Sequence, residues 1–252
     1  MTDDQVQPLL ERFAADAGRV LPLVALWAHG SLALGDYQPG RSDLDLVAVI
    51  AAPVTAPQRP GLQRVHDALR TQVPLADKLH CAYMARSDLA DTGRSHLTWA
   101  HGELFDRPVS PVSRRELSLG ALCLSGPPPV TLLPAVTDQE LADYIRRDLG
   151  DFWYPATGRT KLWFRDIWVD LGMLTLARAT VTLRDGRLIT KREALDVLTG
   201  MAAPDDVVAD IYQRRYENPP TASVGWRARR GARARAFVRA GIERVLGFPR
   251  AP

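Results

Sequence analysis

Two aspartates one residue apart open an apolar run, Asp43-Leu44-Asp45-Leu46-Val47-Ala48-Val49-Ile50, that ends at Ala51-Ala52-Pro53. Short, rich in β-branched residues and closed by a breaker, it predicts a buried strand over 44–50. Side chains two apart on a strand share a face, so Asp43 and Asp45 project side by side. Adjacent carboxylates repel each other and are costly on a half-buried surface unless something neutralises them. Mg²⁺ is commonly held by one or two carboxylates, with substrate phosphates completing its shell, which makes the pair a candidate metal site. Upstream, Gly30-Ser31 follows the apolar stretch 20–28. Glycine lets the backbone approach a ligand closely, and backbone N–H groups with a serine hydroxyl bind phosphate oxygens. Ser42, beside Asp43, either bonds a phosphate or only caps the strand. The unit reads as a metal-assisted nucleotide site. The plainer alternative is a Gly-Ser turn before a strand carrying two surface aspartates.

The order apolar-Gly-Ser, a linker of about ten residues, then Asp-x-Asp in a strand resembles the nucleotidyltransferase superfamily related to DNA polymerase β. Further segments are similar to the streptomycin/spectinomycin adenylyltransferases within it. They are Gly126-Pro127-Pro128-Pro129 with Leu132-Leu133-Pro134, then Leu174-Thr175-Leu176-Ala177-Arg178, then Asp185-Gly186-Arg187-Leu188-Ile189-Thr190-Lys191, and His101-Gly102-Glu103.

That resemblance implies transfer of AMP from ATP, with Mg²⁺, to a hydroxyl of an aminoglycoside-like small molecule, pyrophosphate leaving, and with it a role in antibiotic resistance. Gly30 and Ser31 would grip the phosphates, and Asp43 and Asp45 would hold the metal. Lys191 and Tyr216 would contact the nucleotide, with Tyr212 competing for the latter role. A lysine near a helix N-terminus can reach a phosphate as a point charge. The resemblance also implies a third carboxylate on the following strand as general base. That strand reads Leu75-Ala76-Asp77-Lys78-Leu79-His80-Cys81-Ala82-Tyr83, and the matching position falls at or beside Lys78. Asp77 is the nearest acid and takes the role here. His80 and Glu103 are the alternatives.

Aminoglycosides are polycations, so their pocket should be acidic with aromatic surface for the rings. Trp163, Asp166 and Asp170 stand at i, i+3 and i+7, one face of a helix, with Asp148, Asp151 and Trp153 just upstream. Asp166, Asp170 and Glu103 are therefore expected to bind the acceptor. An amphipathic helix with solvated aspartates and core tryptophans would look the same. Two other readings keep part of the chemistry: a protein or RNA acceptor, or a protein that binds nucleotide without turnover.

The elements that must position these residues differ between the two halves. Helical spacing over 4–17, strands over 20–28, 44–50 and 78–84, and a helix over 62–69 make an α/β module, which Pro108-Val109-Ser110-Pro111 closes. Beyond it, Ser113 with Glu116, Thr137 with Glu140 and Thr190 with Glu193 look like capping boxes. Long apolar periodicities over 162–183, 207–216 and 231–246 leave no strand signal. The expected fold is α+β: a nucleotidyltransferase domain over 1–110, with a mixed sheet and flanking helices, and an all-helical domain over 111–252.

At 252 residues and 46% hydrophobic, the chain can bury a sizeable core. No apolar run approaches bilayer length, and the acidic Met1-Thr2-Asp3-Asp4 start is unlike a secretory signal. Cys81 and Cys123, with no C-x-x-C spacing, exclude a disulfide scaffold or zinc site and suit the cytoplasm. The net charge of +3 is carried by arginine, since lysine occurs only at 78, 161 and 191. The Arg227–Arg235 tract lacks interleaved aromatics for base stacking, so nucleic acid is not an expected partner. A monomer is expected.

Overall fold

The computed structural model describes residues 6–218 and 221–248. The acidic stretch read at residues 1–4 lies outside them. The chain divides into two compact units, one ending at Val136 and one starting at Thr137. In the first, the order is α1 (Val6–Gly18), β1 (Leu23–His29), a single turn α2 (Gly30–Ala33), β2 (Leu44–Ile50), α3 (Arg59–Gln72), β3 (Leu79–Ala85), β4 (Ser95–Ala100), β5 (Glu103–Pro108), α4 (Pro111–Gly120) and β6 (Leu122–Ser125). The second holds α5 (Asp138–Arg147), α6 (Tyr154–Thr157), α7 (Asp166–Asp185), α8 (Lys191–Gly200), α9 (Asp205–Tyr216) and α10 (Val224–Leu246). The expected α+β class is what the structure shows.

The sheet runs β5-β4-β3-β2-β1-β6. β2 and β3 are parallel, joined through α3, while the other pairs are antiparallel. The sheet is mixed for this reason: a parallel pair needs a crossover, which the apolar stripe of α3 supplies. Val6, Leu9, Leu10 and Phe13 of α1 and Leu62 and Leu69 of α3 pack on one face with Leu44, Leu46, Ala48 and Ile50. Val47 and Val49 face the other way, against Trp27, Ala82, Met84 and Leu117 of α4. β2 is thus covered on both sides from Leu46 onward. Only at its start does the covered face give way to acids.

The first core also contains a polar group. His66 Nε2 lies 2.6 Å from the Tyr83 hydroxyl, and its ring stacks on Trp99 at 4.4 Å. Burial pushes the imidazole down to about 3 and the Cys81 thiol up to about 12.

The boundary expected at residue 110 falls inside the first unit. α4 packs on β1, β6 pairs with β1, and Arg115 Nη2 donates to the Val136 carbonyl at 2.7 Å. The Gly-Pro segment follows β6 at the sheet edge. Gly126 has φ +72°, and a Cβ there would collide with the Val24 carbonyl. Trp27 Nε1 donates to the Pro127 carbonyl at 2.8 Å. β5 and β6 are largely exposed and carry no apolar alternation, and β4, though buried from His96 on, mixes His96 and Thr98 with Leu97 and Trp99, so none of the three stands out in the sequence.

In the second unit the capping boxes at Thr137 and Thr190 form. The box read at Ser113 does not: the cap of α4 is Ser110, whose Oγ accepts from Ser113 N–H. The long helix expected from 162 starts instead at Asp166. Trp163 sits before it in a 3₁₀ turn (Thr160–Phe164), fully buried, its Nε1 donating to the Ala156 carbonyl at 3.0 Å. Gly172 of α7 and Gly231 of α10 leave room for it, since a Cβ on either would strike Trp163. Among the described residues no helix is long and apolar enough to cross a membrane.

Candidate active site

β1, β2 and β3 lie side by side, and their register places His29 opposite Asp45 and Asp45 opposite His80. Asp43 stands two residues before Asp45, just ahead of β2. Each acid faces a base: Asp43 Oδ1 lies 3.7 Å from Lys78 Nζ, and Asp45 Oδ1 lies 3.6 Å from His80 Nδ1. The side chains of Asp43 and Asp45 are 42% and 36% exposed, so both retain surface for a ligand. His80 is nearly covered, with the His101 ring edge-on to it at 4.8 Å.

The Gly30-Ser31 turn abuts this row. His29 is extended, and Gly30 then takes φ +64°, a left-handed turn that glycine adopts without strain. A Cβ at Gly30 would lie 3.0 Å from Asp45 Oδ2, so the bare backbone lets the carboxylate and the turn approach. The turn closes through Leu34 N–H to the Gly30 carbonyl and Asp36 N–H to the Ser31 carbonyl, both 3.0 Å. Ser42 is 2% exposed and its Oγ accepts Gln38 N–H at 3.0 Å. That bond closes the loop that delivers Asp43, with the hydroxyl accepting.

Asp77 does not join the row. It lies in the 3₁₀ turn before β3 (Pro74–Lys78), and its Oδ1 accepts from Arg70 Nε at 2.8 Å. A one-residue shift flips the facing of a strand, and here the β3 residue aligned with Asp45 is His80. Glu103 is exposed at the start of β5, paired with Ala100 across the tight His101-Gly102 turn, where both residues have positive φ.

In the helical unit, Lys191 is the first residue of α8, beyond the Thr190 cap, and is half-buried. Tyr216 ends α9, with the Arg192 guanidinium 3.9 Å from its ring centroid. The acids expected to receive a cationic acceptor are taken up internally. Asp166 pairs with Arg230 and Asp170 with Arg214. Asp210 links the two, accepting from Arg214 and, at 2.8 Å, from Arg230 Nη1. Trp226 Nε1 adds a bond to Asp210, also at 2.8 Å. Asp148 accepts from Trp153 Nε1 at 3.1 Å. Trp163, in the core, does not share a helix face with Asp166 and Asp170.

No family model matches the chain, and no curated protein is detectably similar to it in sequence. Comparison with solved structures gives a different result. The chain shares its fold with a spectinomycin adenyltransferase. That protein, AAD(9) from Enterococcus faecialis, was solved with ATP and spectinomycin; the TM-score is 0.72, at 14% identity, over 94% of this chain and 99% of that one. At that identity the likeness speaks for the fold, and function must be argued from the side chains.

Those side chains form a row of alternating acid and base at the uncovered end of a buried strand, beside the left-handed Gly30 turn. Such an arrangement suits a ligand that carries both phosphate and a divalent cation. Sequence reading did not assign His29 or Glu116, whose Nδ1 and Oε2 lie 3.1 Å apart. His29 precedes Gly30 directly, which is a signal of sorts. Glu116 is 87 residues away, and nothing local marks it.

Proposed function

We propose that this chain is a nucleotidyltransferase that moves AMP from ATP to a hydroxyl of an aminoglycoside-like small molecule. One observation carries the reading: Asp45 at the start of β2 and Asp43 just ahead of it are both partly exposed, and the Gly30-Ser31 turn lies against Asp45. The fold shared with an adenyltransferase solved with ATP and spectinomycin supports it.

The residues fit Mg²⁺. The donors are hard carboxylate oxygens, they are half-exposed, and the missing Cβ of Gly30 leaves space beside Asp45. No cluster of three or more metal-holding side chains occurs among the described residues, and a pair is what Mg²⁺ uses when phosphates complete its shell. Asp43 and Asp45 would hold the ion, which would neutralise phosphate charge.

The protein's own groups do the rest. The Gly30 and Ser31 amides and the Ser31 hydroxyl grip the phosphates. Lys78, beside Asp43, adds a positive charge at the same edge. His80 would take the proton of the attacking hydroxyl in place of Asp77, whose carboxylate pairs with Arg70 away from the row. Lys191 and Tyr216 are proposed nucleotide contacts, and Glu103 a proposed acceptor contact. Asp166 and Asp170 would have to leave their arginines to serve the acceptor, which disfavours that role.

The test is pyrophosphate release from ATP and Mg²⁺ across an acceptor panel that includes spectinomycin and streptomycin. Release with one acceptor, lost in Asp43→Asn, is the expected result. ATP binding with silence across the panel would overturn the acceptor class.

A further inference from the structure

The Glu116 carboxylate has no task in capping its own helix. α4 is capped by Ser110, and Glu116 lies more than a turn further on, 8% exposed. A buried carboxylate is costly unless partnered. Its Oε2 is 3.1 Å from His29 Nδ1, and both side chains are nearly covered. A carboxylate only accepts, so Nδ1 carries the hydrogen and the tautomer of His29 is set by Glu116.

The helix that presents Glu116 is itself tied down. Arg114, with no exposed surface, donates to the carbonyls of Leu89 at 2.7 Å, Asp91 at 3.2 Å and Val109 at 3.3 Å. Arg115 holds the Val136 carbonyl. The helix also packs on β1 and α2. His29 is the residue at which the chain leaves β1 for Gly30, and it stands opposite Asp45 in the sheet. The contact therefore fixes the hinge of the turn to an anchored helix.

We infer that Glu116, acting through His29, is a positioning residue for the Gly30-Ser31 turn. It holds the end of β1 so that the turn's amides and Asp45 keep the spacing a nucleotide's phosphates require. This rests on the reading that the turn binds those phosphates. Small misplacements in such sites have large effects on binding and rate.

The experiment measures ATP affinity of the full chain by calorimetry without acceptor, for the wild type, Glu116→Ala and Glu116→Gln, with thermal melting of each. Glu116→Ala should bind ATP about tenfold more weakly. Glu116→Gln, whose amide oxygen still accepts from Nδ1, should stay within about threefold of wild type. In turnover, the Ala variant should raise KM for ATP and leave kcat and the acceptor's KM near wild type. Unchanged ATP affinity in Glu116→Ala overturns the inference and leaves the reading of the turn standing. So does a loss that follows a collapse in melting temperature and is not restored by Gln. A wild-type protein that binds no ATP defeats the reading of the turn, and the inference falls with it.

Discussion

The aspartates of the two units have different surroundings. In the helical unit, Asp170 and Asp210 are largely buried and held by Arg214 and Arg230 through charge-assisted hydrogen bonds, while Asp166, half-exposed, pairs with Arg230 at the rim of the same network. Arg230 is wholly buried, and burial pushes the Asp170 carboxyl up even with Arg214 beside it. In the sheet unit, Asp43 lies 3.7 Å from Lys78 and Asp45 3.6 Å from His80, and both stay partly in water. Charges taken out of water are stable only when fully partnered. Charges kept at the surface contribute little to stability and retain surface for a ligand. Residue type is the same in both places; the packing of the carboxylate decides whether it is bound into the fold or keeps surface open to a ligand.

That contrast breaks first at Arg230. Arg230→Met should destabilise the protein by about 3–5 kcal/mol, read from the denaturant midpoint, because it removes the wholly buried cation of the network and leaves the buried Asp210 to Arg214 and Trp226 alone. A loss under about 1 kcal/mol would mean the network is not structural. The converse holds at the strand: Asp45→Asn should lower kcat/KM by 10²–10³-fold, roughly 3–4 kcal/mol of transition-state stabilisation, with the denaturant midpoint unchanged. A parallel fall in stability would place Asp45 with the helical acids.

Gly30→Ala sharpens the geometric side. The added methyl would meet φ +64° and Asp45 Oδ2 at 3.0 Å, a cost of about 1–2 kcal/mol. It should appear as a raised KM for ATP more than as a lowered kcat. The smallest effect concerns a buried base. His66, pushed down to about 3, stays neutral in the folded protein while the unfolded chain takes up a proton below about 6.5. The unfolded state then binds more protons, so this contribution is whole above about pH 6.5 and is lost as pH falls toward 3. The loss is about 1.4 kcal/mol per pH unit. Unfolding free energies from urea titrations at pH 7 and 5.5 should differ less in His66→Gln than in wild type, by about that amount.

Where a feature was written in neighbouring residues, the sequence made it legible. Leu44–Ile50 folds as the strand its apolar run predicts, with the acids at the end where cover gives out. The Thr137 and Thr190 caps form because each needs only residues three apart. Features built from distant residues were not legible. Glu116 looked like half of a capping box until α4 placed it beside His29. Asp166 and Asp170 looked like an open acidic face, because nothing in their own helix shows that Arg214 and Arg230 arrive from α9 and α10.

Asp77 and His80 show the same limit at finer grain. They stand three positions apart, and only the strand register, through β2 and β3 pairing at Asp45 and His80, decides which one faces the carboxylates. The sequence by itself determined the α+β class, the second strand and the residue types able to hold phosphate and metal, because periodicity and turn chemistry are local. The tertiary structure alone decided which charges are paired, where the first unit ends and which side chain of β3 stands in the row. Those outcomes depend on register and burial, which no single segment contains.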